Sequence, residues 1–209
     1  MTNDYDEQDF LLLNNHDGTF SEVTKKSLKH ISKSAMGCDV ADYNNDELMD
    51  IMVPDMWPED NYRQKVLRGP DEYDRYQLLV DSGYMHQNMR NTLQLNCGLD
   101  NNVPQFSEIG QLTGVSNTDW SWASLLADFD NDGNKDLFVT NGFWRDYSNM
   151  DFQTYNVQEY RNKYGFDAPL YKLIDSIPQT KLSNYMFRNK ADLSFENVTD
   201  QWGLKTNNI

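Results

Sequence analysis

The chain has 209 residues, 33 of them Asp or Glu and 18 Lys or Arg, which gives a formal net charge of -15 at pH 7. A field of that sign repels phosphate backbones and anionic lipid, so it argues against nucleic acid and membrane surfaces as partners and in favour of cations. An aromatic content of 13% argues for a packed core and against disorder, and no apolar run reaches the roughly 18 residues that a membrane-spanning helix needs.

The stretch from Met1 to Asp9 is acidic, with no basic head followed by an apolar run, and does not read as a secretory signal. The first predicted element is a β-hairpin, Phe10-Leu-Leu-Leu-Asn-Asn-His-Asp-Gly-Thr-Phe-Ser-Glu-Val23. Two more segments follow its pattern: Thr92-Leu-Gln-Leu-Asn96 with Phe106-Ser-Glu-Ile109, and Tyr185-Met-Phe-Arg-Asn-Lys-Ala-Asp-Leu-Ser-Phe-Glu-Asn-Val198. In each, a short apolar run ends in Asn (Asn14, Asn96, Asn189), a turn-forming stretch follows, and an aromatic (Phe20, Phe106, Phe195) opens the second run. Self-similarity of this kind marks a repeat architecture.

After the first and second hairpins comes an Asp-rich loop leading into a β-branched or aromatic run. Asp42-Tyr-Asn-Asn-Asp-Glu-Leu-Met-Asp50 precedes Ile51-Met-Val53, and Asp128-Phe-Asp-Asn-Asp-Gly-Asn-Lys-Asp136 precedes Leu137-Phe-Val139. Phe20 to Asp42 and Phe106 to Asp128 are both 22 residues apart. The same offset from Phe195 points to position 217, past Ile209, so the spacing expects the sequence to break off in mid-repeat.

Side-chain oxygens at loop positions 1, 3, 5 and 9, with a carbonyl at 7, suit the six-to-eight-oxygen shell of calcium. In the second loop these are Asp128, Asp130, Asp132 and Asp136, with the carbonyl of Asn134. In the first they are Asp42, Asn44, Asp46 and Asp50, with the carbonyl of Leu48. The first loop has one carboxylate fewer and carries Glu47 where the second has Gly133, at a position that favours positive φ, so it is expected to bind more weakly. A plain Asp/Asn-rich turn is the alternative for both. An EF-hand is excluded, because its twelfth position, Val53 or Val139, falls in a strand-like run.

Two long insertions, residues 57–90 and 143–183, interrupt the repeats. They hold 75 of the 209 residues and 14 of the 27 aromatics. Trp57, Tyr62, Tyr73, Tyr76, Trp144 and Tyr147 are candidate ligand-binding residues, since amphipathic rings on loops of a rigid scaffold suit recognition. Small local cores under short helices, with Tyr160, Tyr164 and Tyr171 at helical spacing, are the alternative. Trp120 and Trp122 alternate as strand residues do and are expected to pack between repeats. Cys38 and Cys97 are expected to be buried free thiols.

The string Leu126-Ala-Asp-Phe-Asp-Asn-Asp-Gly-Asn-Lys-Asp-Leu-Phe-Val139, together with the Phe-Ser-Glu hairpins, resembles FG-GAP/VCBS repeats, the blades of integrin-α-like propellers. Pro58-Glu-Asp-Asn-Tyr-Arg-Gln-Lys and Arg90-Asn-Thr-Leu-Gln-Leu-Asn96 resemble, more narrowly, secreted bacterial proteins of this group that often carry a C-terminal ASPIC/UnbV domain. The resemblance implies an all-β fold with helical insertions, a partial β-propeller of about two and a half four-stranded antiparallel blades. One blade comprises Met36–Asp42, Asp50–Pro54, Thr92–Asn96 and Phe106–Ile109, within 35–110; the next comprises Trp122–Asp128, Asp136–Thr140, Tyr185–Asn189 and Phe195–Val198, within 120–199. Residues 10–24 are then the last hairpin of a preceding blade, and the rest of the propeller belongs to a longer parent chain. Both insertions lie between second and third strands, on the face opposite the calcium loops.

The expected function is that of a calcium-binding extracellular, cell-surface or periplasmic module for carbohydrate or protein recognition, not of an enzyme. Two alternatives stay open. A propeller-fold lyase or hydrolase would need a carboxylate pair on the insertion face, among Glu59, Asp60, Asp71 and Asp74. A spacer repeat would need no ligand at all.

Overall fold

The computed structural model describes residues 1–4, 7–67, 73–165 and 169–205. Strands β1 (Leu12–Asn14) and β2 (Phe20–Glu22) form the first hairpin, followed by a helical turn α1 (Thr24–Ser27) and β3 (His30–Ser32). The first large sheet is an antiparallel meander of β4 (Asp39–Ala41), β5 (Asp50–Val53), β8 (Thr92–Asp100) and β9 (Val103–Glu108). Between β5 and β8 lie β6 (Met56–Trp57), α2 (Asn61–Val66), α3 (Tyr73–Asp81) and β7 (His86–Asn88).

Helix α4 (Gly110–Thr113) leads to the second sheet, built from β10 (Asp119–Ala127), β11 (Asp136–Asn141), β12 (Tyr185–Asn189) and β13 (Phe195–Asn197). It too is an antiparallel meander, with β6 added beside β10. The β11–β12 connection carries a π-helical turn (Phe152–Asn156), α5 (Val157–Tyr164) and α6 (Leu170–Asp175). The chain is mostly β, and the strand runs expected from sequence fall into these two meanders in the expected order.

Alternation explains why the runs are strands. Leu137 and Val139 of β11 are fully buried on one face while Phe138 between them is half-buried on the other. The core lies between the two sheets, where Tyr43, Met52 and Leu93 meet Leu126, Leu137, Val139 and Phe187. A second cluster, Leu28, Ile31, Met85 and Phe106, seats α1, β3 and β7 on the outer face of the first sheet. The result is three layers, and losing one such buried leucine costs about 2–5 kcal/mol.

Several details differ from expectation. Cys38 and Cys97 are free but exposed. Strand β8 runs on past Asn96 through a bulge between Asn96 and Leu99, with Gly98 at φ 91, and this turns Cys97 outward. Trp120 stacks on Phe143 at 3.8 Å, at the root of the second insertion, whereas Trp122 is 47% exposed and donates its Nε1–H to the carbonyl of Gly142. Strand β3 pairs in parallel with β7, and the register His30–His86, Ile31–Gln87, Ser32–Asn88 was not anticipated.

The antiparallel order sends the two insertions off the ends of β5 and β11 remote from the Asp-rich loops. They are joined to each other by Arg63 of α2, whose Nε and Nη2 donate to Asp119 at 2.7 and 2.9 Å and whose Nη1 reaches Asp146 at 3.4 Å. Asp55, fully buried after β5, accepts from Ser32 Oγ and from the amides of Lys33, Ser34 and Met56, and so pins the β3–β4 connection.

Candidate functional site

The two Asp-rich loops bridge β4 to β5 and β10 to β11, and they share a frame of hydrogen bonds at equivalent positions. Position 1 accepts the amides of positions 5 and 6: Asp128 from Asp132 and Gly133 at 3.1 and 2.9 Å, Asp42 from Asp46 and Glu47 at 3.0 Å each. Position 5 accepts the amide of position 7, Asp132 from Asn134 at 2.8 Å and Asp46 from Leu48 at 2.9 Å. Positions 4 and 6 sit in the left-handed region, Asn45 and Glu47 at φ 61 and 69, Asn131 and Gly133 at φ 59 and 91. Only the second loop has the residue for which that conformation is free at position 6.

Position 9 joins loop to sheet. Asp50 accepts the amide of Tyr43 at 3.1 Å through Oδ2 and that of Asn96 at 2.8 Å through Oδ1; Asp136 does the same with Phe129 at 3.1 Å and Asn189 at 2.9 Å. The repeated Asn seen in the sequence is the partner in this clasp. Its side chain returns to the carbonyl of position 8, Asn96 to Met49 at 3.1 Å and Asn189 to Lys135 at 3.0 Å. Both position-9 carboxylates are fully buried, and burial, reinforced by the neighbouring loop aspartates, pushes their pKa values up against the pull of those amide donors.

Asp128, Asp130 and Asp136 each present a carboxylate oxygen within 4.8 Å of the others. Two oxygens bound to one calcium at about 2.4 Å lie no more than about 4.8 Å apart, so the trio fits a shared ion. Asp132 stands outside it, its Oδ1 accepting the amide and side chain of Asn134. In the first loop no such trio forms among the described residues, but the Oδ1 of Asn44 is buried without a hydrogen-bond partner, an acceptor that a cation would satisfy. The loops abut, since Asn45 donates to the carbonyl of Gly133 and to Asn134 Oδ1 at 3.2 Å each.

Residues 1–53 match the family model of the FG-GAP-like repeat. This FG-GAP-like segment holds β1 to β5 and the whole first loop. The second loop lies outside it and repeats its hydrogen bonding. No curated protein matches the chain, and no solved structure does.

On the opposite face from the two Asp-rich loops, three of the six candidate aromatics come together. Trp57, Tyr73 and Tyr76 line one cavity of about 490 Å³ between α3, β7 and the end of β6. Tyr76 is held by a 2.6 Å hydrogen bond between its hydroxyl and His86 Nδ1. The other three lie elsewhere. Tyr62 is 67% exposed on α2, Trp144 is 60% exposed under the guanidinium of Arg145, and Tyr147 packs on Phe143 at 4.7 Å. Of the carboxylates considered for hydrolysis, Asp60 caps α2 by accepting the amide of Arg63, Glu59 accepts from Tyr185, and Asp74 is exposed on α3; Asp71 lies outside the described residues.

Proposed function

We propose that the chain is part of a calcium-binding β-propeller, extracellular or periplasmic, that recognises a carbohydrate or protein ligand through its insertions. The observation that carries the reading is the convergence of Asp128, Asp130 and Asp136 in a loop whose hydrogen bonding recurs around Asp42, Asp46 and Asp50. Asp128, Asp130 and Asp136 would hold the ion of the second loop, and Asn44 with Asp42 and Asp50 that of the first. The ion supplies positive charge that relieves repulsion between crowded carboxylates. Millimolar calcium outside cells saturates even modest sites of this kind.

Two exposures support assigning the sheets as blades of a larger ring. Tyr43 at position 2 of the first loop is 1% exposed between the sheets, whereas its counterpart Phe129 is 39% exposed, as it would be if a further blade covered it. Phe20 is 62% exposed, whereas its counterpart Phe106, covered by Leu28, Ile31 and Met85, is only 6% exposed, as expected if a preceding part of the parent chain supplies the corresponding cover for Phe20.

Thermal unfolding followed by circular dichroism, in millimolar calcium and in chelator, tests the metal. Calcium at 100 times its dissociation constant stabilises by about 2.7 kcal/mol, or about 5–10 °C for a chain of this size. Asp130→Ala removes a ligand and only one long loop hydrogen bond, 3.2 Å to the amide of Asp132, and should abolish most of the shift. An identical midpoint in calcium and chelator would overturn the reading.

A further inference from the structure

Among the described residues, the charged side chains that line the cavity beside α3 are all cationic, in a molecule that is strongly acidic. The chain carries 33 acidic residues against 18 basic ones, yet Lys33, Arg75 and Arg90 all line this cavity and, among the described residues, no carboxylate does. The three cations come from three separate places, the β3–β4 connection, α3 and the β7–β8 connection. Lys33 is held there by its own backbone, whose amide donates to the buried Asp55 at 3.1 Å, while its ammonium makes no hydrogen bond or ion pair among the described residues. Arg90 is fixed through Nη2, which meets His30 Nε2 at 2.9 Å and Glu108 at 3.4 Å. Trp57, Tyr73 and Tyr76 supply ring faces on the same walls.

From this we infer that the cavity binds an anionic saccharide, its carboxylate or sulfate groups meeting the cations and the C–H face of its rings lying on the aromatics. The volume falls in the range of about 300–1,000 Å³ usual for small-ligand sites. Arginine matches planar carboxylate and sulfate groups through paired N–H donors, and aromatic faces, negative at their centres, attract the polarised C–H groups of a sugar ring. Side-chain amides on the walls, such as Gln87 and Asn88, suit ring hydroxyls. An acidic peptide would use the cations and leave the aromatic platform without a role. The negative field of the rest of the molecule disfavours any anion not held by this cluster, so the cavity also supplies selectivity.

The inference rests on the reading of the insertions as a recognition surface but not on the metal. The test is calorimetric titration of the whole chain, at fixed excess calcium, with trigalacturonate, a sulfated galactotriose, neutral galactotriose and triglutamate. Trigalacturonate or the sulfated sugar should bind at least tenfold more tightly than either neutral galactotriose or triglutamate, and weaken as salt is raised; the tighter of the two identifies the anionic group. Lys33→Glu and, separately, Tyr73→Ala should each weaken that binding about tenfold; Tyr73 is exposed and Lys33, half-buried, makes no ion pair among the described residues, so the unfolding midpoint of each variant should stay close to that of the wild type. Equal binding of the neutral sugar would overturn the anionic class while leaving carbohydrate recognition standing. Equal binding of triglutamate would overturn the saccharide. If no probe binds while calcium still raises the midpoint, the cavity inference fails and the metal reading survives.

Discussion

At the scale of single residues, the two Asp-rich loops differ most in what stands at their sixth position. Glu47 is held at φ 69, a conformation that costs a residue with a Cβ roughly 1 kcal/mol or more, while Gly133 takes φ 91 without strain. Glu47→Gly is therefore expected to stabilise the chain by about 1 kcal/mol, in urea denaturation, less the entropy that glycine adds to the unfolded state. A shift toward lower stability would mean that Glu47 makes a favourable contact outweighing its strain. Glu108 is a residue whose contribution depends on pH. Burial alone would raise its pKa, but hydrogen bonds from His30 and from the amides of Gly110 and Leu93 more than offset that and leave it below the ordinary range. A carboxylate with a depressed folded pKa stabilises above its unfolded value of about 4.3, and that stabilisation is lost as pH falls through the folded one. Stability measured from pH 7 down to pH 3 should fall less steeply in Glu108→Gln than in the wild type.

At the scale of elements, the repeated Asn separates what sequence shows from what it hides. The hairpins and loops were legible because turn chemistry is local: Asp, Asn and Gly at fixed offsets dictate left-handed positions and amide caps within nine residues. The destination of Asn189 was not legible, because its side chain reaches back to the carbonyl of Tyr43 at 2.8 Å, in the loop that joins β4 to β5 of the other sheet. The parallel β3–β7 pair was equally hidden. His30-Ile-Ser32 and His86-Gln-Asn88 show no strand periodicity, and their pairing is fixed by the packing of Ile31 and Met85 on Phe106. Of the calcium-loop positions, Asp132 is the aspartate of the second loop that lies outside the converging trio, its Oδ1 accepting the amide and side chain of Asn134. The clasp makes a graded prediction. Asn189→Ala strands the buried carbonyl of Tyr43, the part-buried carbonyl of Lys135 and the amide of Ala191, and should destabilise by about 2–4 kcal/mol. Asn14→Ala removes only an exposed bond to the amide of His16 and should cost less than about 1 kcal/mol. Equal losses at the two positions in chemical denaturation would show that the clasp adds nothing beyond the local turn.

At the scale of the whole molecule, the loops and the insertions occupy opposite ends of the same strands, and each end has its own brace. At the loop end Asn45 spans the gap with two 3.2 Å hydrogen bonds, and between the sheets Asp39 accepts the amide of Leu126 at 2.6 Å. At the insertion end the brace is ionic. Arg63 sits between Asp119 and Asp146, whose side chains are only 8% and 4% exposed, and Asp146 also accepts from Thr180 at 2.6 Å. One guanidinium therefore ties α2, the start of β10 and both ends of the second insertion together. Removing one partner from such a cluster leaves the others charged and buried, at a cost of about 3–5 kcal/mol, far more than the pair itself contributes against an apolar replacement. Arg63→Ala is expected to show that loss in urea denaturation and to raise hydrogen exchange in residues 143–165 and 169–183 above that of β11 and β12. The exposed pair Arg188–Glu196, at 2.8 Å but about 40% exposed on both sides, is the control, and Arg188→Ala should cost less than about 1 kcal/mol. If the two substitutions cost the same, the buried cluster does not hold the insertions in place, and their common orientation must come from the apolar contacts of Trp120 and Phe143 instead.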